Sequence, residues 1–278
     1  MADQPTQLPG QATAERPRAA ALRARVAGHG PRLVVGVLSV IVGLLAWDIY
    51  TRTAGDQLFT PTVPSIASAF WDLIREREFW ASYATTLEPF FYGWASALVL
   101  GLTLGLVMGL SRPVTTVSMP HLGFFNTLPV STLVPVVVIV FGIDLVARSA
   151  VVFLFAIVEV TLTTASGVRF VDRDLMDMGR SFGLRRIRRL TRIILPGAAP
   201  GIAAAVRVGT GRAVVGMVVM ELLLVSVGVG KLISRSRDLF QAPRLYAVVV
   251  SLAIFALAVH ALMQALERRT QRWRGAAA

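Results

Sequence analysis

The residues able to do chemistry in this chain are few and concentrated. Eight arginines fall between Arg169 and Arg192, around the polar stretch Asp172 to Gly201. Elsewhere, isolated charges interrupt long apolar runs at Glu159, Arg207, Arg212 and Glu221. The chain has no cysteine, which excludes disulfides, thiolate metal sites and cysteine nucleophiles. Its three histidines are isolated from one another and do not form a metal cluster. The lysine Lys231 follows Gly230 but precedes Leu232, and the spacing of a phosphate-binding loop, Gly-x4-Gly-Lys-Ser/Thr, is absent, so the chain cannot bind ATP by that route.

Composition says where these charges sit. The chain has 278 residues, of which 55% are hydrophobic and 16% charged, richer in apolar residues than the roughly 45–50% of soluble domains. This is the composition of an integral membrane protein. A net charge of +12 invites a nucleic-acid reading, but the basic residues adjoin apolar runs and lack the aromatic interleaving of a nucleic-acid strip, so no nucleic-acid partner is expected.

Six apolar stretches are long enough to cross a hydrocarbon core of about 30 Å: residues 33–50, 89–110, 119–143, 149–168, 197–229 and 245–266. Residues 1–32, rich in Ala, Arg, Pro and Gln, read as a disordered cytoplasmic tail, and 267–278 as a basic one. The first stretch could be a cleaved signal peptide, but with five more behind it a retained helix is expected. Between the first two, residues 66–79 form an interfacial helix on the outer side, with Trp71 and Trp80 at headgroup depth. In the second span Gly101, Gly105 and Gly109 recur every four residues, a pattern for ordinary close helix packing. Pro129 and Pro135 break the third, with Asn126 and Ser131 nearby. Such irregular backbone is tolerated in a membrane only where protein or a water-filled cavity surrounds it. The stretch 197–229 exceeds one straight crossing at about 1.5 Å per residue, so it must tilt, bend or carry an outer extension.

Within the polar island, Asp174 is the expected N-cap, with Asp177 three residues on, of a short helix over 175–182. Gly183 breaks it. A second, basic amphipathic helix follows, with Leu184, Ile187, Leu190 and Ile194 at spacings of three and four, and Pro196 ends it. A helix of this kind could simply lie on an anionic membrane surface.

The sequence Asp177-Met178-Gly179, three residues, Gly183, nine residues, then Ile193-Ile194-Leu195-Pro196 resembles the EAA loop (EAA-x3-G-x9-I-x-L-P) of ATP-binding-cassette (ABC) importer permeases. The spacing matches at every step, with Asp for Glu, Met for the first Ala and Gly for the second. The stretch FTPTVPSIASAFWDLI is similar to the PSP-x-V segment of the nitrate, sulfonate and taurine branch. TLPVSTLVPVVVIVFG resembles that branch's SIPPLALIPLFILWFG, and AVRVGTGRAVVGMVVMELL its GLRLGLGxAWxxVVxAEML, which matches Arg207 and Glu221 to recurrent positions.

The resemblance implies an all-α membrane protein with six transmembrane helices, a type I ABC importer permease fold, both termini cytoplasmic, a permease domain over 33–266 and a coupling loop over 169–196. It implies that Asp177, Met178, Gly179, Gly183, Leu184 and Arg185 couple to a separate ATPase subunit. Two such subunits, carrying the ATP and Mg that this chain does not, would sit beneath two permeases, usually a homodimer, and an extracytoplasmic binding protein would deliver the solute. The implied function is alternating-access import of a small anionic nutrient of nitrate, sulfonate or taurine type across the inner membrane, with no catalysis on this chain. Related permeases carry pyrimidine or vitamin precursors, and a proton-coupled carrier using Glu159 or Glu221 is the rival class.

The charge distribution agrees with this topology: eighteen Lys and Arg fall in proposed inner segments and eight in outer ones, Arg148 being assigned to an outer turn. Four outer basic residues, Lys231, Arg235, Arg237 and Arg244, either dock a binding protein, meet an anion first, or form a polar face. Asn126, Ser131, Glu159, Arg207 and Glu221 are the candidate pathway residues. Glu159 should face the bundle interior, as an ion-pair partner or as a pathway group. Arg207 either snorkels to the inner surface or meets an anionic solute. Arg207 and Glu221 share a face but lie about 21 Å apart, too far to pair. Arg212 could be structural or functional.

Overall fold

The computed structural model describes residues 30–56, 58–223 and 227–275; the expected N-terminal tail lies almost wholly outside them. Two units separate at residue 57. The first contains α1 (Gly30–Thr53), whose window Val34–Thr53 is long and apolar enough to cross a membrane. Its last turn is closed by an ion pair from Arg52 Nε to Asp48 Oδ2 at 2.7 Å.

Among the described residues of the second unit the regular structure is all helix, with no strand. Thr62 holds an extended backbone and is followed by α2 (Val63–Leu73), with Pro64 in the first turn, where its missing N–H costs nothing. The interfacial helix is shorter than the sequence suggests. Glu76 is extended and starts α3 (Arg77–Leu110), so Trp80 belongs to the first turn of the second span, where its indole N–H donates to the Ile74 carbonyl at 2.8 Å. Trp71 does face outward on α2, with the Arg75 guanidinium 4.6 Å above its ring. Pro89 lies inside α3 rather than at its start. The third span is broken as expected. α4 (Arg112–Thr127) starts seven residues earlier than the expected boundary, and after a bend of 86° a 3-10 turn (Val130–Leu133) runs on into α5 (Val134–Phe141). Then come α6 (Leu145–Arg169), α7 (Arg173–Ser181) and α8 (Arg186–Arg189). A π turn (Leu190–Ile194) leads into α9 (Leu195–Leu223), and α10 (Gly228–Asp238) and α11 (Ala242–Gly275) complete the chain. Among the described residues five helices are long and apolar enough to span, or up to six if the bent pair is one span.

Pro196 does not end a helix. The Leu195 N–H reaches back five residues to the Leu190 carbonyl, and this wider turn accommodates the proline ring that would clash with a carbonyl four residues back. The basic segment and the fifth span are therefore one rod, Arg186–Leu223. Beyond residue 227 the overlong stretch becomes a separate outer helix, α10.

Helices α3 and α6 run parallel and nearly touch. A methyl group added at Gly101, Gly105 or Gly109 would lie 2.7 Å from Val160 Cγ1, 2.5 Å from Thr164 Cβ and 2.5 Å from Val168 Cβ. The four-residue glycine repeat is thus the groove into which α6 packs. Helix α9 runs antiparallel to α6 on another side, with Gly201 against Gly167 and Gly209 against Val160. The main core joins Phe90 and Ala97 of α3, Val152 and Ala156 of α6, Ala213 and Met217 of α9, and Val248 and Leu252 of α11. Polar stitches cross it: Tyr83 OH donates to Ser251 Oγ at 2.7 Å, and Trp94 Nε1 donates to Thr210 Oγ1 at 2.8 Å. In apolar surroundings each such bond contributes on the order of 0.6 kcal/mol.

Candidate functional site

The polar island forms a compact structure at the ends of α6 and α9. Asp172, not Asp174, is the N-cap of α7, its Oδ1 accepting from the Asp174 N–H at 2.9 Å. The shift follows from which carboxylate precedes the first helical residue; Asp174 instead adds negative charge to the first turn, where the helix dipole favours it. At the other end Gly183 has φ +66, its N–H donates to the Arg180 carbonyl at 2.9 Å, and the Leu184 N–H donates to the Gly179 carbonyl at 3.0 Å. These two bonds with a left-handed glycine form a Schellman cap, which closes α7 and turns the chain sharply. Gly183 is therefore required by backbone shape. Gly179 lies close against the π turn: a Cβ there would be 2.6 Å from Ile193 Cδ1, the end of a side chain that can shift, so a small residue suits the position. Arg185 is extended and exposed as the N-cap of α8, and Leu184 is half-buried.

The outward face of α7 is unusual for a polar helix. Leu175, Met178 and Phe182 project from neighbouring turns and are all exposed, Phe182 at 79%. Asp177, about 100° around the helix from Met178, is exposed and paired with Arg180 at 3.0 Å. Leu175 and Phe182 were not among the sequence candidates, although their three- and four-residue spacing around Met178 carried the signal. Ile187, on the apolar side of the expected amphipathic helix, is 75% exposed, whereas Ile194 is buried with Val168, Val171 and Ala198. The inner face of α7 contacts that cluster through Met176. Behind it lies a cavity of about 670 Å³ walled by Arg112, Thr115, Arg169, Met176, Asp177 and Arg180, among others. Thr115 Oγ1 donates to the Met108 carbonyl at 2.6 Å and accepts from Arg169, which ties the inner ends of α3, α4 and α6 together.

The charges within the spans resolve into three pairs. Glu221 is buried, and its Oε1 accepts from Arg148 Nη2 at 3.0 Å while its Oε2 accepts from the Gly230 N–H at 2.6 Å. Gly228, with φ +63, brings the Val229 N–H to Thr86 Oγ1 at 3.0 Å; a Cβ there would lie 2.4 Å from that oxygen. This closed knot joins α3, α6, α9 and α10. It corrects two expectations: Arg148 is a buried member of α6 rather than part of an outer turn, and Glu221 is enclosed rather than on an open pathway wall. The physical reason is that each is the other's counter-ion, and a lone charge at that depth would be costly. Arg207 Nε pairs with Glu267 Oε2 of α11 at 2.7 Å, and Arg212 Nη2 with Glu159 Oε1 at 2.6 Å. Asn126 and Ser131 are exposed on either side of the bend between α4 and α5, with no side-chain hydrogen bond among the described residues. At the outer end Lys231 and Arg235 approach Glu78 at 3.9 and 3.4 Å, and Arg244 pairs with Glu76. With Arg237 beside Asp238 at 3.2 Å, each of the four outer basic residues has a carboxylate within 4 Å. Among the described residues no group of three or more His, Cys, Asp or Glu could hold a metal ion.

Comparison with known proteins agrees with this architecture. The family model described as "Binding-protein-dependent transport system inner membrane component" matches residues 97–272. A protein of Escherichia coli strain K12 described as "Putative aliphatic sulfonates transport permease protein SsuC" is 31% identical over 236 residues, covering 84% of this chain and 89% of that protein. The taurine transport permease TauC of the same strain is 25% identical, covering 87% and 90%. Among solved structures, a chain of the inward-facing MetNI methionine ABC transporter has the same fold, with a TM-score of 0.56 at 18% identity, covering 73% of this chain and 97% of that one. A permease of this family works with an ATPase and a binding protein, which disfavours the proton-coupled carrier. The capped polar helix between two spans, the helical membrane unit and these matches together place the chain in the binding-protein-dependent transport system inner membrane component family, as a multi-pass permease subunit of an ABC importer.

Proposed function

We infer that this permease imports a small sulfonate-type anion, and that α7 is the part that receives mechanical work from the ATPase. The observation carrying the coupling role is the exposed apolar triplet Leu175, Met178 and Phe182 on a short, capped, otherwise polar helix. Exposed apolar residues grouped on one face mark a surface for a protein partner. Asp177 is exposed on the flank of α7, off the triplet's face, where it can meet a cationic group at the edge of that contact. Gly183 and its cap hold the helix as a rigid peg, Gly179 lets the peg pack on the π turn, and Leu184 and Arg185 set the exit direction. Displacement of α7 passes through Met176 to the Val168, Val171 and Ile194 cluster, and so into α6 and α9 together.

The ATP and Mg belong to two copies of the ATPase, beneath two copies of this permease, and this chain contributes no catalytic residue. Closure of the ATPase pair draws the two α7 helices together and opens the membrane pathway outward; hydrolysis returns it inward. The sulfonate class rests on SsuC and TauC, each matched over most of its length.

The test is ATP hydrolysis and sulfonate uptake in liposomes by the transporter assembled with its ATPase and binding protein. Phe182→Asp and Gly183→Asp should each abolish uptake and binding-protein-stimulated hydrolysis, with the permease still inserted. Normal uptake by both variants would remove α7 from the coupling role.

A further inference from the structure

The Glu159 and Arg212 pair sits where lipid would not leave it. Glu159 is about 21 Å from the Leu145 end of α6 and about 15 Å from its Arg169 end; Arg212 is about 25 and 17 Å from the ends of α9. Both are deep within a hydrocarbon core of about 30 Å. Yet Arg212 is not enclosed. Its side chain is 53% exposed and that of Glu159 21%, whereas Arg148 and Glu221 in the outer knot are 7% and 1% exposed. A guanidinium at that depth needs water or polar partners for the donors that Glu159 does not occupy. On α9, Arg212 stands at one border of an exposed strip and Arg207 about 140° away at the other, with Gly211 and Val215 between them. Arg207 already points its charge toward Glu267 near the end of the bundle, so Arg212, at the strip's border, is the cation left at mid-membrane depth.

We propose that this strip of α9 is a wall of the water-filled solute pathway, and that Arg212 is its transit site for the solute anion, with Glu159 tempering its charge. The proposal rests on the sulfonate reading and adds a residue-level mechanism to it. A site that conducts must attract an ion enough to admit it and hold it weakly enough to release it. An uncompensated arginine deep in the membrane would trap a sulfonate. Paired through Nη2 with Glu159, the guanidinium keeps its orientation and its remaining N–H donors, while the carboxylate cancels most of the net charge. The anion binds the open edge of the guanidinium and passes on. Glu159 is here a positioning residue that never touches the solute.

The absence of cysteine makes a direct test available. Val215 is exposed on the strip, one turn from Arg212. In the transporter assembled with its ATPase, Val215→Cys is treated with two water-soluble methanethiosulfonates of similar size, one bearing a sulfonate and one a trimethylammonium. The rate ratio, normalised to a free thiol, reports the charge that the strip presents to water. With Arg212 and Glu159 intact the ratio should favour the sulfonate slightly. Glu159→Gln should raise it by roughly five- to tenfold, the scale of one unmasked charge at several ångströms in a partly hydrated site. Arg212→Gln should bring it below that of the parent, and Arg212→Lys, which keeps the charge, should preserve the sulfonate preference. Co-purification of the ATPase with each variant checks assembly.

Absence of modification by either reagent, with and without ATP, would mean that lipid or a second copy covers the strip, and would overturn the proposal. A ratio unmoved by Glu159→Gln would overturn the tempering role. The readout needs no transported solute: if the ratios shift as expected while no sulfonate is taken up with the cognate binding protein, the sulfonate reading fails and the transit site for an anion stands.

Discussion

Removing the positive member of the buried knot should cost far more than removing both members. In Arg148→Met, the Glu221 carboxylate would keep the Gly230 N–H at 2.6 Å as a donor but lose its counter-ion at 3.0 Å, in a site that leaves the Glu221 side chain 1% exposed. Stripping one partner from a buried ion pair costs about 3–5 kcal/mol, because the remaining charge is neither solvated nor matched. In the double variant Arg148→Met with Glu221→Gln, the amide oxygen of Gln still accepts from Gly230 and no charge is buried. The net loss should then be about 1–2 kcal/mol. The knot joins four helices, so the change should appear as global stability rather than local fraying. At roughly 2–4 °C per kcal/mol for a domain of this size, the single variant should lower the apparent Tm in detergent by about 10 °C and the double by about 3 °C. Size-exclusion recovery after heating, on purified permease with and without its ATPase, measures both. Additive effects, with the double variant as unstable as the two singles combined, would refute the reasoning, since the argument requires that Glu221 be harmful only when alone.

Three further outcomes follow from other contacts. Gly105→Val drives its new side chain into Thr164 Cβ and the Thr161 carbonyl, so α3 and α6 must separate; overpacking by this route costs about 1–3 kcal/mol, seen as lower detergent stability. Gly183→Ala should lose about 1 kcal/mol from the left-handed cap and lower uptake while leaving membrane insertion unchanged. Asp177→Asn breaks only an exposed pair with Arg180, so stability should change by less than about 0.5 kcal/mol, while affinity for the ATPase, read by co-purification at rising salt, should fall.

Much of the site was legible because its signals are local. A polar island between apolar runs, a glycine at a helix end and a carboxylate ahead of a helix are set by backbone geometry within a few residues. Those signals located α7 and the break at Gly183. Where a local signal competed with longer-range packing, it failed. Pro196 reads as a stop, but the π turn before it carries the helix through. Ile187 shares its period with Ile194, yet no helix covers it.

The sequence by itself indicated the long apolar spans, the polar island between two of them and the glycine that closes α7, because each depends on composition or on neighbours a few residues away. Only the tertiary structure decided the partners of the isolated charges. Arg148 finds Glu221 across a separation of 73 residues, and Glu159 finds Arg212 across 53. One pair is sealed inside the outer knot and the other left open on α9, which makes the first structural and the second a candidate for transport. That difference comes from how α3, α6, α9 and α10 pack around each pair, and the burial it sets governs the cost of a charge.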